Sequence, residues 1–152
     1  MKKDLNQINM ENEVRAIVSS HFDDAENLLL NMLNPQFVCC NYEEKSITVK
    51  YKAEKWNMNT GGTMHGGIIC TAFDNCFGIL AHALSKTWVT TIDINVRFLK
   101  PVLCGEELII TAKADMKGNT IISLSGEAKV DGKPVAACGC ATFMIVGGKN
   151  NG

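Results

Sequence analysis

The spacing of apolar residues changes along the chain and predicts where helices give way to strands. Residues 11–33 carry apolar side chains at helical spacing, and Asn34-Pro35 ends the pattern. We predict one or two short amphipathic helices there, with a bend near residues 21–23. Phe37–Tyr42 and Ser46–Lys52 are strand-like runs on either side of a polar turn. The first third of the chain therefore predicts helices followed by a β-hairpin.

The most apolar part of the chain follows a loop at residues 55–64 that contains two glycines. Residues 65–84 are long enough for a helix and apolar nearly all round, which is typical of a helix buried on most of its surface. We expect Thr63 to cap the start of this helix and Ser85-Lys86 to end it.

The rest of the chain is rich in the β-branched residues of strands. We predict strands at residues 89–99, 107–114, 120–130 and 133–146, with Asp131-Gly132 as a two-residue hairpin turn. Because the connections are short, we expect these four strands to be antiparallel neighbours in chain order.

A helix this apolar requires a sheet around it, because nothing else in the chain could cover it. The predicted fold class is therefore α+β, with a curved antiparallel sheet wrapped around one long central helix. The length of 152 residues suits one core. We expect a helical N-terminal extension at residues 1–34, one domain at 35–147 and a flexible tail at 148–152.

Composition excludes several classes of function. The net charge of −1 provides no basic field for nucleic acid. No apolar signal segment follows the first residues, and the apolar run at residues 68–84 is short for a membrane span and contains Asp74, Asn75 and His82. The seven cysteines include no CxxC pair, so we expect free thiols, no metal site and a cytoplasmic protein.

Asp74 is the first residue that could carry chemistry. It is the only acidic residue in the apolar helix, where a charge is costly unless it is paired or used. A carboxylate in such a place can serve as a general base. The alternative is a structural role, in which Asp74 faces a polar seam and bonds a neighbouring backbone group.

The start of the same helix is the second candidate. Gly66 and Gly67, preceded by His65, leave the first backbone N–H groups uncovered, which suits an anion or a developing oxyanion. A tight turn is the alternative. Gly66 and Asp74 are eight residues apart, hence ~12 Å along the helix axis. One reacting carbonyl cannot touch both in one chain, so we predict a dimer with a shared site if both groups act.

Polar residues also recur on the strand that follows the helix. Thr91, Asp93 and Asn95 have a period of two, which predicts that all three side chains lie on one face. That face either points to solvent or lines a site.

The run from Asn59 to Gly67, with Asp74 nine residues after His65, resembles the signature of PaaI-type hotdog-fold acyl-CoA thioesterases. The resemblance continues through residues 91–95, 97–101 and 105–107, and covers roughly residues 36 to 146. It implies a hotdog fold, an acyl-CoA substrate and a homotetramer built from dimers. It implies no cofactor other than the coenzyme A of the substrate.

The resemblance also implies roles for individual residues. Asp74 matches the carboxylate that acts as base or nucleophile, and Gly66 matches the N–H that polarises the thioester carbonyl. Thr91 matches a hydroxyl that holds the attacking water, while Asn59 and His65 match polar residues that shape the site. The implied substrate-binding residues are Gly67, Phe98, Leu99, Lys100, Pro101, Lys117 and Gly118.

This small set suits thioester hydrolysis, since a thiolate with a pKa near ~8.5 leaves without a dedicated acid. Three alternatives remain open. The chain could be a non-catalytic acyl-CoA or acyl-ligand binding protein, or a hotdog hydratase or dehydratase, although the Pro-rich loop of the latter is missing. A Cys76 nucleophile with His82 is disfavoured, because the two are six residues apart on different helix faces.

Overall fold

The computed structural model describes residues 4–23 and 28–147. Helix α1 spans Leu5–Asp23 and helix α2 spans Leu28–Leu33. The helical segment therefore begins earlier than the apolar spacing predicts. Helix α1 is still helical at residues 21–23, where a bend was predicted, and residues 24–27 lie outside the described residues, as do the start of the chain at 1–3 and the predicted tail at 148–152.

Six strands form one antiparallel sheet, and a 20-residue helix packs against it. The strands are β1 (Gln36–Asn41), β2 (Ser46–Lys52), β3 (Val89–Phe98), β4 (Glu107–Lys117), β5 (Ile121–Val130) and β6 (Val135–Ile145), and the central helix is α3 (Gly66–Ser85). A short 3₁₀ helix spans Lys55–Asn57. The predicted α+β class with one long central helix is confirmed.

The order of the strands corrects one prediction. The sheet runs β1-β2-β4-β5-β6-β3, so β3 pairs with β6 and not with β4. The connection between β3 and β4 has eight residues, from 99 to 106, which is long enough to pass beside the start of α3 rather than turn back. Backbone bonds hold it there: Met64 N–H donates to Val102 O at 2.8 Å, and Gly105 N–H donates to Ala53 O at 2.7 Å.

Two details of the other hairpins also differ from the prediction. The β5–β6 hairpin exists, but its turn has four residues, 131–134, because β6 begins at Val135. Gly132 adopts a φ of 67°, and Lys133 N–H donates to Val130 O at 2.9 Å. Strand β4 continues three residues past Ala114 to Lys117, with a bulge at Asp115.

The core lies between α3 and the inner face of the sheet. Phe73 and Phe77 of α3 are fully buried, each stabilising the fold by about 1.5–3 kcal/mol through burial. Their rings lie against the sheet where it carries Gly139 and Gly126, and a Cβ on Gly126 would lie 3.1 Å from the Phe77 ring. The two glycines therefore allow the central helix to approach the sheet closely.

The two edges of the sheet differ. Helix α1 packs on β1, where the Gln7 side chain donates to Cys40 O and accepts from Tyr42 N–H, both at 2.8 Å. Strand β3 forms the other edge, and its ten residues pair only with β6 in the described chain. One edge is thus covered by the N-terminal helix and the other is open.

Among the described helices, α3 alone has the length and apolar character to cross a membrane, with a mean hydropathy of 1.4 over its most apolar window. Half of that window is buried inside the chain. Such burial is typical of a core helix, so length and apolar composition are only weak evidence of a membrane span.

Candidate active site

The start of α3 is capped by His65 rather than by Thr63. His65 has an extended conformation, and its Nδ1 accepts a hydrogen bond from Gly67 N–H at 2.9 Å. Thr63 bonds instead to the side chain of Asn59. Within the described residues Gly66 N–H donates to no acceptor, since the first helical N–H groups have no partner inside the helix. One polarised donor, that of Gly66, is therefore available at this helix end.

Asn59 organises the loop that leads to this helix. Its Oδ1 accepts from Gly61 N–H at 2.9 Å and from Thr63 N–H at 3.2 Å, and its Nδ2 donates to Thr63 Oγ1 at 3.0 Å. A buried residue that sequence reasoning did not single out, Asn57, holds the same segment: its carbonyl accepts from His65 N–H at 2.8 Å. The amide of Asn59 is therefore committed to its own loop.

A groove of about 360 Å³ opens beside Gly66, and we call it the Gly66 groove. The Phe98 ring lies close to Gly66, such that a Cβ on that glycine would be 3.3 Å from the ring. The Gly66 groove brings together six of the predicted site residues, namely Asn59, Gly66, Phe98, Leu99, Lys100 and Pro101.

Asp74 lies in a different groove, of about 470 Å³, between α3, the N-terminal helices and the start of β3. We call it the Asp74 groove. Thr91 Oγ1 donates a 2.8 Å hydrogen bond to Asp74 Oδ1. The half-buried carboxylate is thus paired with a hydroxyl from a neighbouring strand and lies at a solvent-accessible cavity.

A β-bulge makes the contact between Thr91 and Asp74 possible and corrects the prediction that Thr91, Asp93 and Asn95 share a face. Thr91 pairs with Phe143 and Asp93 with Thr142, so Ile92 is the extra residue. Thr91 therefore lies on the inner face with buried Phe143, whereas Asp93 and Asn95 lie on the outer face.

The predicted substrate-binding residues are divided between the two ends of the molecule. Lys117 lines a third groove, with Lys45, Lys86 and Leu84, at the C-terminal end of α3. Gly118 forms the adjacent tight turn, where its N–H donates to Ile121 O at 2.9 Å. Because α3 has 20 residues, this groove is almost 30 Å from the Gly66 groove along the helix axis.

A buried hydrogen bond beside Asp74 was not anticipated from the sequence. Tyr51 is fully buried on β2, and its hydroxyl donates to Asn75 Oδ1 at 2.8 Å. Asn75 lines the Asp74 groove. Burial raises the pKa of Tyr51 well above its usual value, and the nearby Cys76 and Asp74 raise it further. The hydroxyl of Tyr51 therefore stays protonated and holds the Asn75 amide by this hydrogen bond. The sequence signal for it was Asn75 itself, a second polar residue in an apolar helix.

The cysteines of α3 do not form a nucleophilic pair with His82. Cys76 is fully buried, its Sγ lies 3.9 Å from Ile110 O, and burial raises the pKa of its thiol. His82 instead lines the Asp74 groove. All seven cysteines lie in the described residues and are free thiols, and no group of three or more His, Cys, Asp or Glu side chains that could hold a metal occurs there.

Comparison with known proteins adds three findings. The family described as Thioesterase superfamily matches residues 61–137, about half of the chain, and these include Gly66, Asp74 and Thr91. Human acyl-coenzyme A thioesterase 13 is 30% identical over 94 residues, which cover 59% of this chain and 66% of that protein. The dehydratase FabZ of Streptococcus sanguinis is 46% identical over 50 residues, or 33% of this chain and 35% of the dehydratase.

The similarity to solved structures extends over almost the whole chain. The PaaI protein from the phenylacetic acid degradation operon of E. coli superposes with a TM-score of 0.80 at 15% identity, covering 94% of this chain and 97% of that protein. This match confirms the predicted hotdog fold.

Proposed function

The chain belongs to the thioesterase superfamily, and from this premise we propose that it hydrolyses acyl-CoA thioesters to a carboxylic acid and free coenzyme A. The observation that carries the proposal is the Asp74–Thr91 hydrogen bond in a groove of about 470 Å³. The human relative named as an acyl-coenzyme A thioesterase supports the choice of substrate class.

In this proposal Asp74 is the general base. Thr91 Oγ1 donates a hydrogen bond to Asp74 Oδ1, so the lone pairs of the Thr91 hydroxyl can accept a hydrogen bond from a water molecule. Asp74 takes a proton as the water oxygen attacks the thioester carbonyl. The tetrahedral oxyanion then expels the thiolate, and the proton held by Asp74 returns to the sulfur. Direct attack by the Asp74 carboxylate is the alternative first step.

The oxyanion donor is Gly66 N–H, which has no acceptor in the described chain and lies at the positive end of α3. Gly67 N–H does not act in the same way, because His65 Nδ1 already accepts its hydrogen bond. His65 and Asn59 thereby position the donor instead of contacting the reacting atoms. A role for Gly67 in substrate binding is limited to van der Waals contact.

The site is shared between two subunits. Gly66 and Asp74 lie eight residues apart on one helix and open into different grooves, so the Gly66 donor must come from a second copy of the chain. The open edge of β3 supports this dimer: a ten-residue edge strand, with Ile92 51% exposed and Phe98 54% exposed, is suited to pairing with another strand. We extend this dimer to a homotetramer by family resemblance alone.

Coenzyme A contacts residues from both subunits as well. Phe98, Leu99, Lys100 and Pro101 line the Gly66 groove, whereas Lys117 and Gly118 lie towards the other end of α3. A coenzyme A molecule that contacts both residues 98–101 and residues 117–118 therefore contacts the first set in one chain and the second set in the other. The reaction needs no metal or further cofactor in this scheme, and the free thiols of the chain support a cytoplasmic location.

The test is release of free thiol from aliphatic and aromatic acyl-CoA substrates by the purified protein, with Asp74→Asn as the matched control. We expect the parent protein to hydrolyse at least one of these acyl-CoA substrates and the Asp74→Asn variant to hydrolyse none. Binding of acyl-CoA without thiol release would support the non-catalytic alternative and overturn the proposal.

The FabZ similarity favours dehydration as a second candidate, because its identity reaches 46%, although it covers only 50 residues. The described Asp74 groove contains one histidine, His82, which lies two helical turns from Asp74 instead of beside it. Dehydration of 3-hydroxyacyl-CoA without thiol release would establish this second candidate.

A further inference from the structure

The Asp74 groove continues beyond the carboxylate along α3. Asp74, Gly78 and His82 are spaced by four residues and form one stripe on the helix, which is the floor of the groove. Leu29 and Leu30 of α2 contribute to one wall, and residues 88–91 contribute to the other. The groove therefore provides an elongated space that passes the candidate base and follows the helix towards its C-terminal end.

Gly78 is an unusual residue for the middle of this helix. Glycine in a helix interior destabilises the helix relative to alanine. Packing does not require it here, because a Cβ on Gly78 would make only ordinary contacts with the Phe143 ring, at 3.6 Å and 3.9 Å. By contrast, a Cβ on Gly126 would lie 2.8 Å from Thr111 O. The structural consequence of Gly78 is an open floor between Asp74 and His82.

The far end of the groove has a definite boundary. The rings of His82 and Trp88 meet edge to face, with centroids 5.9 Å apart, and both residues line the groove. Asp74 and His82 are separated by ~12 Å along the helix axis. An extended chain advances about 1.2 Å per bond, so this distance accommodates about eight to ten carbon atoms.

The walls leave apolar surface accessible that an aliphatic chain would cover. Leu29 is 49% exposed and Trp88 is 54% exposed. Burial of apolar area favours binding, so each added methylene of a chain in this groove should strengthen it. The polar groups that line the groove near Asp74, such as Asn75, are at the end where the thioester would lie.

Resting on the proposed function, we infer that the acyl group is a linear, medium-length aliphatic chain of about eight to ten carbons that lies over Gly78 and ends at the His82–Trp88 pair. Gly78 is then a specificity-determining residue, and α2 of the N-terminal segment forms part of the acyl site.

The first experiment compares kcat/KM for acyl-CoA substrates from acetyl to hexadecanoyl. We expect a maximum at octanoyl or decanoyl, and we expect Gly78→Leu to lower the ratio of kcat/KM for decanoyl-CoA to that for butanoyl-CoA by about tenfold or more. Ala16→Leu, which enlarges an exposed side chain of α1 outside the groove, is the matched control and leaves this ratio unchanged. An unchanged ratio in folded Gly78→Leu protein overturns the inference.

Trp88→Ala provides a second variant, at a side chain that is 54% exposed, and circular dichroism checks that the variant is folded. It opens the end of the groove, so the preferred chain becomes longer than in the parent protein. A preference that stays at the same length in this variant contradicts the boundary at Trp88.

Binding of the thioether analogue of decanoyl-CoA, measured by calorimetry, separates the inference from the proposed hydrolysis. Tighter binding of this analogue than of free coenzyme A, weakened by Gly78→Leu, supports the groove even if no thiol is released and the proposed hydrolysis fails. If thiol is released but the thioether analogue and free coenzyme A bind with equal affinity, the proposed hydrolysis stands and the acyl groove is overturned.

Discussion

Thr91 Oγ1 donates a 2.8 Å hydrogen bond to Asp74 Oδ1, although the two residues lie 17 positions apart on a strand and a helix. The bulge at Ile92 lets Thr91 lie on the inner face of the sheet, whereas Asp93, two residues further on, lies on the outer face. A local irregularity of the open edge strand thus completes the pair that we propose to be catalytic.

Replacement of Asp74 by Asn is expected to lower kcat by at least ~10²-fold, because the amide cannot take a proton from water. The amide can still accept the hydrogen bond from Thr91, so the fold should persist, which circular dichroism and the thermal midpoint check. Hydrolysis of acyl-CoA at the parent rate would show that Asp74 is not the base.

Replacement of Thr91 by Val should lower kcat about tenfold, since one hydrogen bond to a charged group and one water contact are lost. Thr91→Ser keeps the hydroxyl and is the matched control, with activity close to that of the parent protein. Equal activity of the Val and Ser variants would exclude a role for the hydroxyl.

Mixing two inactive variants tests the shared site. Asp74→Asn removes the base, and Gly66→Pro removes the oxyanion donor at a first helical position where proline is tolerated. Each mixed dimer contains one intact site and one doubly defective site. Co-refolding equal amounts should restore about a quarter of the parent activity, because about half of the dimers are mixed.

Each variant refolded alone provides the control for this mixing experiment. If mixed dimers are demonstrated by native mass spectrometry and no activity returns, the two groups do not act across subunits.

The cysteines are expected to be dispensable for turnover. Alkylation of the native protein at pH 8 should modify the exposed Cys39, Cys104 and Cys140, and should spare Cys76, whose thiol is fully buried and has a raised pKa. The combined replacement of the three exposed cysteines by Ser should retain the parent kcat. Loss of activity in this variant, with folding intact, would implicate a thiol in the reaction.

Glu106 should contribute stability that depends on pH. Its carboxylate pairs with Lys133 and accepts from Leu103 N–H at 2.8 Å, and these two interactions lower the pKa of Glu106. A lowered pKa in the folded state gives stability that is present above the unfolded value and is lost as pH falls through the folded value.

The thermal midpoint of Glu106→Gln should therefore lie below that of the parent protein at neutral pH, and the difference should shrink as the pH falls below about 4.5. Glu127→Gln, in which an exposed pair at 3.7 Å is removed, is the matched control with a smaller effect. A difference between Glu106→Gln and the parent that persists at low pH would contradict a carboxylate origin.

The amino-acid sequence by itself determined the elements and the class of fold. The period of apolar residues depends only on local geometry, which is why the α3 helix and all six strands could be predicted within a few residues. The spacing of Gly66 and Asp74 on one helix is equally local, so their separation followed from residue numbers alone.

Only the tertiary structure decided which distant segments meet. The position of β3 beside β6 depends on the path of an eight-residue connection, and the inward orientation of Thr91 depends on a bulge that pairing with β6 defines. His65, not Thr63, caps α3, since the loop held by Asn59 and Asn57 sets the approach of the chain. These features result from contacts between residues far apart in sequence. The local period of apolar residues does not encode the net free energy of such contacts.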